Sequence, residues 1–181
     1  MNSEIGFSAD GKRCMVDDSV EFVSFFVGYG IWMIWKFLSI TMLSFPEGSH
    51  LHTGLHLVSY AFLGLSLLST LRLDRESMPF FAGGALGVLV WIASDNIVIL
   101  DLVLLLHAGR NVEFRQIAKF TFILVGVLSL VTVMGSQVGV LINYPFSRGS
   151  NGIRWGLGFR YCTYLSHLYL NLVMLYLYLR S

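Results

Sequence analysis

Apolar runs alternate with short polar interruptions along the whole chain, and the runs exceed the length of an ordinary amphipathic helix in a soluble domain. A helix needs about 20 apolar residues to cross a hydrocarbon core roughly 30 Å thick, and the stretches 22–45, 51–71, 120–142 and 161–179 each come close to that length. Pro46, Glu47 and Gly48 close the first, which Lys36 interrupts. The charged residues Arg72, Asp74, Arg75 and Glu76 follow the second. The run 79–107 begins at a proline suited to a first helical turn, and its polar exceptions are Ser94, Asp95, Asn96 and Asp101. It reads either as one long tilted helix with Asp95 near mid-membrane or as a hairpin of two short helices turning at 94–96. The hairpin is preferred, because Ser, Asp and Asn favour turns and a carboxylate at the bilayer centre is costly. Gly83, Gly84 and Gly87 then form a small-residue face for close helix packing. The segment 108–120 is polar enough to lie at the interface. The pattern predicts an all-α, polytopic integral membrane helical bundle of about six transmembrane helices.

Composition agrees with that reading. The chain has 181 residues, 55% hydrophobic and only 13% charged, with a mean hydropathy of +0.69, too little polar surface to cover a soluble globule. One transmembrane domain, 20–181, is expected after a polar, cytoplasmic tail, 1–19. That tail carries Glu4, Asp10, Lys12, Arg13, Asp17 and Asp18 and lacks the short apolar run of a cleaved signal peptide. The net charge of +1 is spread between apolar runs, which gives no nucleic-acid footprint. Cys14 and Cys162 stand far apart, outside any CxxC pattern.

Charge distribution orients the bundle. With the N-terminus inside, Lys12, Arg13, Arg72, Arg75, Arg110, Arg115, Lys119 and Arg180 lie on the cytoplasmic side, and the outer turns 46–50 and 94–96 carry no Lys or Arg. The loop 143–160 breaks the rule by placing Arg148, Arg154 and Arg160 outside, among Gly149, Gly152, Gly156 and Gly158. Three permanent cations on flexible backbone suit a phosphate or pyrophosphate ligand, since the guanidinium fork pairs bidentately with phosphate oxygens. The plainer reading is that they snorkel to headgroup phosphates. Arg160, Tyr164, His167 and Asn171 follow at i, i+4, i+7 and i+11, one face of the last helix, where they suit sugar hydroxyls and His167 suits a general base. The same residues also suit helix-to-helix hydrogen bonding or an interfacial aromatic belt with Tyr161. His50, His52 and His56 form HxHxxxH, but with only Glu47 as a carboxylate neighbour no metal is assigned to them, and no cofactor is expected. Lys36 and Asp101, both within spans, are candidate partners inside the bundle.

The run RGSNGIRWGLGF, 148–159, together with the order of the last spans, resembles the first half of the Wzy-type polysaccharide polymerases of Gram-positive bacteria, relatives of the O-antigen polymerases and ligases. The matching element is Arg154, Gly156, Leu157, Gly158 and Phe159, and the resemblance covers 60–180. It implies a multi-pass protein of the bacterial cytoplasmic membrane that binds undecaprenyl-pyrophosphate-linked repeat units of a surface polysaccharide. It also implies glycosyl transfer on the outer face, with Arg154 neutralising the pyrophosphate leaving group. Substrate-binding candidates are thus Arg148, Arg154, Arg160, Tyr164, His167 and Asn171, with Arg154 and His167 as catalytic candidates. Tyr161, Cys162 and Thr163 replace the aromatic or His, Pro and Asn that follow the motif in relatives. Such polymerases have about twice as many spans, so the resemblance implies a truncated or split enzyme that acts with a C-terminal half or other polysaccharide-assembly proteins. Expected partners are lipid-linked oligosaccharide and membrane lipids, with no nucleic acid. The alternatives are a small-solute-binding membrane subunit of a transporter, although 22–45 lacks the alanines of a docking face, and a noncatalytic membrane protein.

Overall fold

The computed structural model describes residues 10–43, 50–70, 78–94, 97–147 and 152–181. Among them are six helices: α1 (Asp10–Ile40), α2 (His50–Thr70), α3 (Met78–Ser94), α4 (Val98–Ala108), α5 (Phe114–Gln137) and α6 (Tyr164–Arg180). A two-stranded antiparallel hairpin, β1 (Pro145–Ser147) with β2 (Ile153–Trp155), interrupts the otherwise all-α order between α5 and α6. Two stretches, Val20–Ile40 and Phe114–Gln137, are long and apolar enough to cross a membrane. The chain divides into two compact units, Met1–Tyr29 with Ser59–Asn111, and Gly30–Val58 with Val112–Ser181.

In the first unit, α3 stops at Ser94 and α4 starts at Val98, so the apolar run is broken into two helices that pack on each other. Asp95 and Asn96, the expected turn, lie outside the described residues. Ser94 helps end α3 by donating its hydroxyl to the carbonyl of Val90 at 2.7 Å. A Cβ on Gly87 would meet Leu100 Cα at 3.2 Å, and one on Gly83 would meet Val103 Cγ2 at the same distance. The contact therefore depends on the missing side chains. Gly84, expected on the same face, meets nothing and instead borders a cavity of about 290 Å³ with Tyr60, Phe80 and Val103. Its face was misread because glycines at i and i+4 point one way, while the residue between them is turned about 100°.

The buried face of α2 here is Ser59, Leu63 and Ser66, at i, i+4 and i+7. Ser59 donates to the carbonyl of Gly28 at 2.9 Å, and Ser66 to that of Ala108 at 3.2 Å. Tyr60 donates its hydroxyl to the Asp101 carboxylate, which is 1% exposed. Asp101 thus faces the interior, as the sequence suggests. The His107 ring stacks on Phe80, with centroids 4.1 Å apart.

The second unit has an apolar centre of Phe37, Val125 and Phe159, with Met33, Ile40, Leu128, Tyr164, Leu165 and Leu168 packed around it. The Phe37 and Phe159 rings meet edge to face, 5.9 Å apart. Helices α5 and α6 pack together, with Phe114 beside Tyr178 and Phe122 beside Tyr176. Lys36 lies over the rings of Trp35 and Trp32, at 4.4 and 5.6 Å, a cation–π arrangement. Trp35 also meets His56 at 4.6 Å. The side chains of His50 and His52 lie outside the described residues, as does Glu47.

Several helix boundaries differ from expectation, and α1 begins at Asp10, within the stretch expected as a polar tail. The fifth span, expected over 120–142, begins six residues earlier and ends at Gln137. Arg115, Gln116 and Lys119, read as an interfacial connection, form the exposed side of the first turns, while Ala118 is buried. At the other end the backbone reverses at Gly139 (φ 81°), and the amides of Val140 and Leu141 both donate to the carbonyl of Gly135 at 2.9 and 3.0 Å. The apolar residues after Gly139 therefore leave the helix despite their hydropathy. Helix α1 likewise ends at Ile40 rather than near Phe45, because Thr41 and its neighbours pair with the chain around Phe159.

Candidate functional site

The loop between α5 and α6 is held by backbone pairing within the second unit. Its hairpin pairs Pro145 with Trp155, Phe146 with Arg154 and Ser147 with Ile153. The connecting residues 148–151, which include Arg148 and Gly149, lie outside the described residues. Below the hairpin, the amide of Gly156 donates to the carbonyl of Tyr144 at 3.0 Å, and that of Leu157 to Asn143 Oδ1 at 2.9 Å. Leu157 has φ 50°, a left-handed conformation costing an ordinary side chain about 1–2 kcal/mol. The Asn143 side chain holds it there.

Gly156 and Gly158 are not the flexible spacers that their number suggests. Gly158 has φ 83°, and a Cβ there would lie 3.0 Å from both Thr132 Cγ2 and the Thr132 carbonyl. A Cβ on Gly156 would meet the carbonyl of Phe159 at 2.8 Å. Both are therefore used for close approach, which fixes the turn instead of loosening it. The turn is then stapled to the end of α1. Met42 N–H donates to the Gly158 carbonyl at 2.8 Å and Arg160 N–H to the Ile40 carbonyl at 3.0 Å, flanking an antiparallel bridge between Thr41 and Phe159. Thr41 and Phe159 are fully buried. Asn143, Thr41 and Thr132 were not expected to hold this turn. Only the asparagine ahead of the glycine-rich stretch gave a local signal, because the other contacts join distant parts of the chain.

On this base Arg154 stands exposed on β2, and Arg160 is half-buried just after the turn. Among the described residues no ion pair or hydrogen bond engages either guanidinium. Three aromatic residues link the hairpin to α6: Phe146 lies 6.3 Å from Tyr161, and Tyr161 lies 5.4 Å from Tyr164.

The stripe proposed along the last helix is only partly assembled. Arg160 sits in a bend with its amide donating to the carbonyl of Ile40, and α6 starts at Tyr164. Tyr164 packs against the apolar centre. His167 is exposed, and Asn171 is exposed on the edge of a groove. Seven residues separate Tyr164 from Asn171, about 10 Å along the axis at 1.5 Å per residue. One phosphate group does not span that distance, whereas an extended ligand does. Arg154 lies on the hairpin that Tyr161 joins to the start of α6, and Asn171 lies two turns further along that helix. Among the described residues no group of three His, Cys, Asp or Glu side chains has metal-binding proximity.

No protein-family model, curated protein or solved structure matches this chain. The chemistry of the loop itself carries the functional reading.

Proposed function

We propose that the chain is a multi-pass protein of the bacterial cytoplasmic membrane, acting in cell-surface polysaccharide assembly. In this reading it binds the pyrophosphate of undecaprenyl-linked repeat units at the outer face. The observation that carries the proposal is Arg154: an exposed guanidinium with no partner among the described residues, on a hairpin whose base is fixed by the Gly156–Phe159 turn. A fixed base matters because a donor held in place needs no reorganisation as charge develops on the ligand. Tyr144, Trp155 and Tyr161 are each more than half exposed around it, a distribution suited to a membrane interface.

The membrane setting is supported by an inverted distribution of side chains. Among the described residues, nine polar or charged residues are buried against eight hydrophobic ones, while Leu68, Ile92, Leu130 and Leu170 are more than half exposed. Water does not favour that arrangement, and lipid does. In this reading the N-terminus is inside, α3 and α4 together return the chain to the inner side, and α5 carries it across so that the hairpin faces outward.

In the transfer reaction, the bond between the anomeric carbon and the pyrophosphate oxygen breaks while an acceptor hydroxyl attacks that carbon. Arg154 and Arg160, with Arg148 as a third cation close in sequence, stabilise the departing pyrophosphate. His167, exposed on α6, is the candidate to take the hydroxyl proton. The chain supplies the anion-binding part, and a second half or partner protein completes the transfer.

Binding is measured first with farnesyl pyrophosphate and farnesol, following the fluorescence of Trp155 beside Arg154. Farnesyl pyrophosphate is expected to bind and farnesol to bind much more weakly. Arg154→Ala should weaken the former by about 10- to 100-fold, the equivalent of one charged hydrogen-bonding pair. Equal affinity for the two ligands, or unchanged affinity in Arg154→Ala, rules the site out. Enzymatic competence is tested by complementing a polymerase deletion with this chain and with Arg154→Ala. Unchanged polymer length in both defeats the enzymatic claim.

A further inference from the structure

We propose that the groove between α5 and α6 is a binding site for an anionic phospholipid of the leaflet opposite the Arg154 hairpin. The groove has a volume of about 480 Å³ and lies within the second unit. Its two ends differ in chemistry. Phe114 and Tyr178 form one end, at the start of α5 and the finish of α6, and Val125 and Leu168 line the other. Eleven residues of α5 separate Phe114 from Val125, which is about 16 Å of helix. That is close to half of a hydrocarbon core roughly 30 Å thick, the depth of one leaflet. Acyl chains lying along the groove reach from the surface to the bilayer midplane.

The cations gather at the Phe114 and Tyr178 end. Arg115 and Lys119 are exposed on the first turns of α5, and Arg180 is exposed on the last turn of α6. Arg115 Nη2 donates to the carbonyl of Leu179 at 3.1 Å, which draws its guanidinium to the end of α6 beside Arg180 and leaves its other N–H groups for a phosphate. Glu113 occupies the N-cap position of α5 with no side-chain cap hydrogen bond, one carboxylate against the three cations that α5 and α6 carry here. The apolar walls take the chains, the guanidinium pair takes the phosphodiester, and of the polar residues on the wall Thr121 donates its hydroxyl to the carbonyl of Ile117 at 2.8 Å, while Asn171 offers its amide to a water or a glycerol-ester carbonyl. A zwitterionic headgroup presents the same phosphate with a cation attached, which the three basic residues repel.

The inference uses the membrane reading of the chain but not the pyrophosphate site, so the two are separable by experiment. The full chain in neutral detergent is mixed with phosphatidylglycerol or with phosphatidylcholine of the same acyl chains, and its thermal midpoint is followed. Phosphatidylglycerol is expected to raise the midpoint on the order of 5 °C near saturation, and phosphatidylcholine by much less. The double variant Arg115→Ala with Arg180→Ala should lose that increment. Met174→Trp, which fills the groove from its exposed edge, should lose it while keeping the cations. Arg154→Ala should retain it even if farnesyl pyrophosphate binding is lost. The proposal is overturned if neither lipid raises the midpoint, if both raise it equally, or if the phosphatidylglycerol increment survives in both groove variants.

Discussion

The most buried positions of α2 in the unit formed by Met1–Tyr29 and Ser59–Asn111 are Ser59, Leu63 and Ser66, whereas the other unit is centred on Phe37, Val125 and Phe159. In the first, hydroxyls reach the carbonyls of Gly28 and Ala108, Tyr60 meets Asp101, and α3 approaches the α4 backbone across Gly87. In the second, aromatic volume fills the centre and backbone pairing fixes the loop. The contrast separates two ways of holding helices together. Side-chain hydrogen bonds between membrane helices average about 0.6 kcal/mol each, so the first unit depends on many small contributions. The second depends on a few large contacts, chiefly the Phe37 and Phe159 pair.

The largest test of that contrast is Phe159→Ala, expected to remove about 3–5 kcal/mol of stability, as for other large aromatic truncations in a packed centre. Thermal unfolding in detergent measures it, and a loss below about 1 kcal/mol breaks the comparison at its strongest point. Gly158→Ala follows, at about 1–3 kcal/mol, because the new methyl meets Thr132 at a positive φ. Hydrogen exchange at the Met42 and Arg160 amides should rise with it, and unchanged exchange removes the turn from the account. In the first unit, Tyr60→Phe should cost about 1–3 kcal/mol by withdrawing a donor from a buried carboxylate. Asp101→Asn, which keeps an acceptor at Oδ1, should cost less, and the reverse order would show that the charge rather than the hydrogen bond matters. The smallest effects belong to Ser59→Ala and Ser66→Ala, about 0.6 kcal/mol each and additive.

Much of the helical framework was legible from local pattern. The starts of α2 and α3 and the break between α3 and α4 follow from turn residues, proline and charge. The ends of α1 and α5 were not, for different reasons. Hydropathy carries 120–142 through Gly139, although one residue in a left-handed conformation suffices to end a helix. The end of α1 is set by pairing with residues near Phe159, a partner invisible to any local window. The hairpin escaped notice because strands of three residues are too short to display an alternating pattern. At the candidate site, the arginines and glycines were recognisable as residue types, but the role of Gly156 and Gly158 was inverted. Glycine composition does not distinguish a loose segment from one packed against backbone, and here the distances to Thr132 and Phe159 decide for the latter.

The bridge between Thr41 and Phe159 also sets an order of events during biosynthesis. The end of α1 leaves the ribosome long before its partner exists, and at 5–20 residues per second the wait is on the order of ten seconds. Through that interval the Ile40 carbonyl and the Met42 amide lack the partners that they finally take. The arginine-bearing hairpin therefore acquires its footing only once Phe159 and Arg160 have been made, more than a hundred residues after the end of α1.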